Sequence, residues 1–288
     1  MTQKASLYKA VQIQDGDGPA ISFLYNTAAG RVLLRLLIKT AVSKLAGSIL
    51  SSPASRLLVK GFINRNNIDM EEYKDVKYRS FNEFFIREIN EGSRPLPDSD
   101  DDLAAPSDGK LTAYPITAGS VFNIKHSVYS VDDLLEDKEL AAEFEDGVCL
   151  VFRLTPDDYH RYSYIDDGQI LHRKRIDGKL HTVRPIAFQT RGVFCQNTRE
   201  YEVMLTRSFG KVVQMEVGAL FVGKISNYCN GPDVRRGDEK GMFQFGGSTV
   251  IMLFQKDKIT VDGVIYENTL MNNETIVKMG NKIGERSS

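Results

Sequence analysis

Apolar positions recur in two different periods along the chain. Between about Ile21 and Asn67 the period is helical: AAGRVLLRLLIKTAVSKLAGSIL sets Arg31, Arg35 and Lys39 four apart among leucines and isoleucines, which predicts a basic stripe beside a broad apolar face. Pro53 separates this stretch from a second apolar segment, Leu57 to Ile63. SFNEFFIREI, from Ser80 to Ile89, sets Phe81, Phe84, Phe85 and Ile89 on one helical face, and the breaker-rich GSRPLPDSDDD follows as a surface connector. Beyond the connector the period becomes that of strands. VCLVFRL, KVVQMEV, STVIMLF and KITVDGVIY are short β-branched and aromatic runs between Gly and Asp turns, with one helical pattern, SVDDLLEDKELAAEF, from Ser130 to Phe144. The fold class that follows is α+β: N-terminal amphipathic helices attached to a mainly antiparallel β-sheet domain, divided as a helical region 1–95 and a β-rich region 96–288.

A length of 288 residues supports one or two domains with a substantial core, and 42% hydrophobic with 26% charged residues excludes wholesale disorder or a fibrous repeat. The formal charge of −1 gives no global attraction to an acidic partner, and no basic cluster with interleaved aromatics points to nucleic acid. Charges interrupt the N-terminal helix before it reaches the roughly 18 to 20 apolar residues of a membrane span. It therefore either packs on the core with a solvated basic edge or lies on a membrane surface. Cys149, Cys195 and Cys229 are too few and too far apart for a disulfide framework or a zinc site, so a reducing interior and no metal centre are expected. The opening residues lack a basic segment followed by an apolar run, and the mature chain is expected to begin near Met1.

Three places carry chemistry. Gly246 and Gly247 precede Ser248 at the head of an apolar strand, and glycine admits backbone angles that bring a following hydroxyl toward its carbonyl carbon. In LTPDDYHRYSYIDDG, Thr155, Pro156 and Asp158 read as a helix start; one helical turn there sets His160 and Ser163 on a shared face, and an extended strand separates them. Asp108 stands before Gly109 at a turn ahead of a strand. Each has an ordinary structural explanation when taken alone.

With their flanks, these residues resemble one family, the phosphatidylserine decarboxylase proenzymes, over roughly Phe81 to Gly284. The likeness rests on FNEFFIREI, APSDGKL, HSVYSVDDLL, CLVFRLTPDDYHRY, LHTVRPIA, NTREY, MEVGALFVGKI and KGMFQFGGSTVIMLF, in that order. The resemblance implies self-cleavage between Gly247 and Ser248 into a β chain, 1–247, and an α chain, 248–288, with Ser248 becoming a covalent pyruvoyl group. That group, formed from the serine by elimination and loss of ammonia, condenses with the amine of phosphatidylserine as an imine; carbon dioxide leaves and phosphatidylethanolamine is released. The resemblance further implies that Asp108 is the acid that orients a histidine, that His160 protonates the carbanion, and that αβ units pair as homodimers. A substrate held in a bilayer favours a peripheral position for the N-terminal helices, on the cytoplasmic face of the cell membrane, with Arg31, Arg35, Lys39 and Lys44 toward anionic headgroups.

One position departs from the family pattern. Family members commonly carry His-Arg-x-His where this chain reads His160-Arg161-Tyr162-Ser163, so the histidine usually credited with activating the serine is missing. Either His160 serves both steps or His181 supplies the imidazole, if 160–170 and 178–185 pair as antiparallel strands. The alternative function is an unprocessed, noncatalytic lipid-binding relative.

Overall fold

The computed structural model describes residues 8–12, 23–24, 26–37, 40–124, 127–178, 193–219, 224–228, 231–244 and 248–287. Its helices are α1 (Ala28–Leu37), α2 (Thr40–Leu50), α3 (Leu57–Asn66), α4 (Phe81–Phe85), α5 (Val131–Leu135), α6 (Lys138–Ala142), α7 (Val193–Gln196) and α8 (Gly263–Leu270). The strands of the first half are β1 (Lys9–Gln12), β2 (Asp102–Ala104), β3 (Gly109–Pro115), β4 (Val121–Ile124), β5 (Ser127–Ser130), β6 (Val148–Leu154) and β7 (Arg161–Ser163). Then come β8 (Gly168–Ile176), β9 (Arg199–Thr206), β10 (Lys211–Val217), β11 (Ile225–Asn227), β12 (Asp233–Val234) and β13 (Glu239–Phe243). The C-terminal strands are β14 (Ser248–Phe254), β15 (Ile259–Val261), β16 (Asn273–Val277) and β17 (Lys282–Arg286).

Nine of the described strands form one antiparallel sheet in the order β1-β16-β3-β6-β14-β10-β9-β8-β12. Smaller sheets are β11-β13-β7 and β15-β17-β2, and β4 pairs with β5. Strand alternation sorts the main sheet into two buried faces. Val151, Val203, Val213, Met215, Ile251 and Leu253 pack with Leu134, Leu135 and Phe144 around α5 and α6. Leu150, Phe152, Met204, Val212, Val250 and Met252 pack with Tyr162, Ile225 and Phe243 of the β11-β13-β7 sheet. Burial on both faces explains why these strands read as continuous apolar runs, each large side chain contributing roughly 1.5–3 kcal/mol. The fold is α+β and antiparallel, as expected.

The helical regions are more broken than their periodicity suggests. The stretch from Ile21 to Asn67 contains α1, α2, a 3₁₀ turn at Pro53–Arg56 and α3, with Pro53 starting that turn. SVDDLLEDKELAAEF is two helices: Glu136 takes a left-handed conformation (φ 49°), and Asp137 restarts the chain by accepting from the Leu140 amide at 3.0 Å. SFNEFFIREI is helical only over Phe81–Phe85. Ser80 caps it, accepting from the Glu83 amide at 3.1 Å, and Phe81, Phe84 and Phe85 pack with Val59 of α3. The helix stops because Arg87 is drawn inward. Its guanidinium lies over the Tyr73 ring, 4.3 Å from the centroid, and donates to the carbonyls of Asp157 and Asp158 at 3.0 and 3.2 Å. This strap fixes the turn that leads into His160.

Candidate active site

Ser248 opens β14, the fifth strand in the order of nine, and its side chain is fully buried. It pairs with Leu154 of β6. On the other side, Val217 pairs with Thr249, so Gly218 follows alongside Ser248. Ser248 Oγ has no hydrogen-bond partner among the described residues. A buried hydroxyl left this way costs about 1–3 kcal/mol and calls for a functional explanation. Gly247 and Gly246 lie outside the described residues, as does His181.

His160 is drawn to the same end of the sheet. It lies six residues beyond Leu154, and its carbonyl accepts from the Phe243 amide at 2.9 Å, five residues before Ser248. Thr155 and Asp158 make one half of a helix-start capping pair: the Thr155 amide donates to the Asp158 carboxylate at 2.6 Å, while the Asp158 amide donates to the Thr155 backbone carbonyl at 2.9 Å as in a turn, and the Thr155 hydroxyl donates to Asp158 at 2.9 Å. No helix follows, however. Lys110 also holds the Asp158 carboxylate, at 2.7 Å, Arg87 holds the carbonyls, and the chain runs extended into β7. His160 and Ser163 thus do not share a helical face, which corrects one reading of their spacing. The antiparallel partner of β7 is β13. Over Arg161–Ser163 the described partner is Glu239–Met242, and the expected pairing with 178–185, with His181 in it, lies outside the described residues.

The His160 ring is fully buried and tilted against Phe85, with centroids 3.9 Å apart. Nδ1 lies 2.9 Å from the Asp158 carbonyl. A carbonyl only accepts, so Nδ1 carries the proton and Nε2 presents a lone pair, which meets no partner among the described residues. Burial, reinforced by the positive charge of Arg87, pushes His160 down to about 3. The imidazole is neutral at physiological pH.

Asp108 lies at the start of β3, and its loop touches β7 through the Ser163 amide, which donates to the Pro106 carbonyl at 2.9 Å. Its carboxylate is engaged elsewhere. Arg94 grips it with two bonds of 3.0 and 2.9 Å, and the Met279 amide donates at 2.8 Å. Arg94 also bonds Glu72 at 3.0 Å. No Asp108–His160 bond occurs among the described hydrogen bonds, and the Asp158 carbonyl orients the His160 ring; the other histidine that Asp108 was expected to orient, His181, lies outside the described residues. Asp108 therefore anchors the loop beside β7, with Arg94 as its charge partner.

Sequence reasoning passed over Arg87, Arg94, Glu216 and Lys240. The signal for Glu216 is present in KVVQMEV: Gln214 and Glu216 place polar groups on one face of an otherwise apolar strand, and both are fully buried. Lys240, also fully buried, reaches Glu216 at 2.5 Å. Nothing in the order of the chain joins these two residues.

Fold and site together define an antiparallel α+β protein whose reactive candidate is a buried serine at the head of a central strand. The chain belongs to the phosphatidylserine decarboxylase family, whose model matches residues 81–285. It is 46% identical over 280 residues to phosphatidylserine decarboxylase proenzyme 2 of Clostridium acetobutylicum, covering 97% of this chain and 95% of that protein. It is 40% identical over 272 residues to the phosphatidylserine decarboxylase proenzyme of Clostridium perfringens, covering 92% of each. With the proenzyme of Fusobacterium nucleatum the identity is 38% over 279 residues, covering 95% of this chain and 93% of the relative.

Proposed function

We propose that this chain cuts itself before Ser248 and then decarboxylates phosphatidylserine to phosphatidylethanolamine. The observation that carries the reading is the buried, unpartnered Ser248 hydroxyl at the head of β14, in a chain so similar to proenzymes of this activity. A pyruvoyl group made from Ser248 fits this position, because the hydroxyl is bound to no other described group and the strand behind it is held on both sides by β6 and β10. Once formed, the ketone supplies an electron sink for the bond that breaks as carbon dioxide leaves. His160 does the proton work. Its role is to deliver a proton to the carbon that has lost the carboxylate, from the end of the sheet that it shares with Ser248. Asp108 and Arg94 hold the loop beside β7 in place. The test is conversion of phosphatidylserine by the purified protein, with free serine as the comparison substrate; turnover of free serine alone would overturn the lipid assignment.

The N-terminal region 1–95 is the proposed contact with the membrane, on its cytoplasmic face, and the β-rich region 96–288 carries the reaction. No described helix is long and apolar enough to cross a bilayer. Instead Val32 of α1, Leu45 and Ile49 of α2, and Leu57 and Leu58 of α3 are exposed, Leu57 by 83%. Exposed Arg56 and Lys60 stand beside the last pair. Inserting two leucines into the interface contributes up to roughly 1.5–3 kcal/mol each. Leu45→Asp/Leu57→Asp protein is therefore expected to bind phosphatidylserine-containing vesicles at least tenfold more weakly in a cosedimentation assay, and undiminished binding would remove this surface from the reading.

A further inference from the structure

Position 163, where the resemblance leads one to expect a second histidine, is Ser163, so the acceptor of the Ser248 proton is to be sought among the other buried groups near β14. On β10, Gln214 and Glu216 face the β11-β13-β7 sheet together with Val212. A carboxylate buried to this depth persists only with a partner. One of its oxygens, Oε2, has two: Lys240 Nζ of β13 at 2.5 Å and Asn227 Nδ2 of β11 at 3.0 Å. The other, Oε1, has none among the described residues.

The register shows what lies on the open side. Glu216 pairs with Val250, so Ser248 is its diagonal neighbour on β14, two residues along and on the same face. Diagonal neighbours stand about 7–8 Å apart at the backbone, within reach of a long side chain. The residue alongside Ser248 is Gly218, which has no side chain to intervene, and its amide and carbonyl are tied away to Thr198 and Asn197. A hydroxyl without an acceptor and a carboxylate oxygen without a donor thus sit on diagonal neighbours of one buried sheet face, unbonded to each other in this uncut chain.

We infer that Glu216, held by Lys240, accepts the Ser248 hydroxyl proton when the chain cleaves itself. The inference rests on the self-cleavage proposed above. The Ser248 O–H bond breaks and its proton passes to Glu216 Oε1, while Oγ bonds to the carbonyl carbon of residue 247. The carbon–nitrogen bond to residue 248 then breaks, and the new amine takes the proton back from Glu216. An ester and a free amino group remain, and no outside reagent is consumed.

Proton affinities favour Glu216 over His160 in this step. Desolvation, outweighing the attraction of Lys240, raises Glu216 to about 7, whereas His160 is pushed down to about 3. Facing Glu216 are Lys240 from β13, Glu200 and Glu202 from β9, Asn227 from β11, Tyr162 from β7 and Ser248 from β14. Cleavage should accordingly quicken as pH rises through about 7 and level off above it, because the carboxylate form is the acceptor. His160, already unprotonated across that range, predicts no such rise.

The experiment follows the full chain from cell-free synthesis, reading the fraction cut at residues 247/248 by intact mass after denaturation. Glu216→Gln is compared with Glu216→Gln/Lys240→Met, which removes both charges so that no lysine is left buried alone. Expected is a slowing of at least about 100-fold in each, the lower end for loss of a general base, with a near-UV spectrum and urea transition like those of Ser248→Ala. Folded variants that cut at the wild-type rate overturn the assignment while leaving self-cleavage intact. If neither variant folds, the wild-type profile decides, and a rate independent of pH from about 5.5 to 8.5 overturns it. A wild-type chain that never cuts overturns both this inference and the reading beneath it.

Discussion

Replacing Ser248 by alanine is expected to leave the chain in one piece and to abolish decarboxylation. The hydroxyl is the sole oxygen this side chain has to offer, and with it go the proposed nucleophile for cleavage and the proposed precursor of the reactive ketone. The loss is clean because Oγ has no hydrogen-bond partner among the described residues. Removing it strands no donor or acceptor, and the methyl of alanine suits a corner formed by β6, β14 and β10, so stability should change by less than about 1 kcal/mol. Intact mass in denaturant, a urea transition and a phosphatidylethanolamine assay on one preparation check all three parts. Two fragments joining at 247/248 from the alanine variant would exclude Ser248 as the origin of the break.

The second large effect separates the two stages. His160→Gln is expected to cut itself at close to the wild-type rate yet turn over phosphatidylserine about 100- to 10,000-fold more slowly, the usual range for losing a proton-transfer group. Glutamine keeps a donor for the Asp158 carbonyl and a flat amide for Phe85, so the turn held by Arg87 and Lys110 should survive. What it lacks is the basic Nε2. Mass spectrometry of the cut chain, followed by turnover normalised to that cut chain, makes the distinction. An uncut His160→Gln chain would return the activating role to His160 and displace Glu216.

Much of the main sheet was legible because burial on both faces left its strands as near-continuous apolar runs. β6, β10 and β14 each coincide with a run read from the sequence. Helical periodicity was a weaker guide. It carried the pattern from Ser130 to Phe144 straight through Glu136, whose left-handed backbone no hydrophobic count detects, and the pattern from Ser80 to Ile89 through Ile86, after which Arg87 turns inward to bind two carbonyls. Ser248 was legible through its glycines and flanks, and His160 through its place in a recognisable block. Their surroundings were not. The carbonyl that orients His160 belongs to Asp158, two residues away, while the expected Asp108 is taken by Arg94. Glu216 and Lys240 lie 24 positions apart in the chain, and only the stacking of one sheet on another brings them together. Register and layering, which decide such contacts, are long-range properties that local pattern does not encode.

The position of β14 bears on the history of the molecule. The segment 248–288 supplies the middle strand of the main sheet, β16 toward its edge, and both β15 and β17 of a smaller sheet. With the bond before Ser248 cut as proposed, the shorter piece is threaded through the longer one and can leave only if the main sheet opens. On that proposal the intact chain is its own template, the sheet closing while the two parts are still covalently joined and the cut coming afterwards. A protein of this design can be assembled once, because unfolding after the cut discards the tether that put its central strand in place.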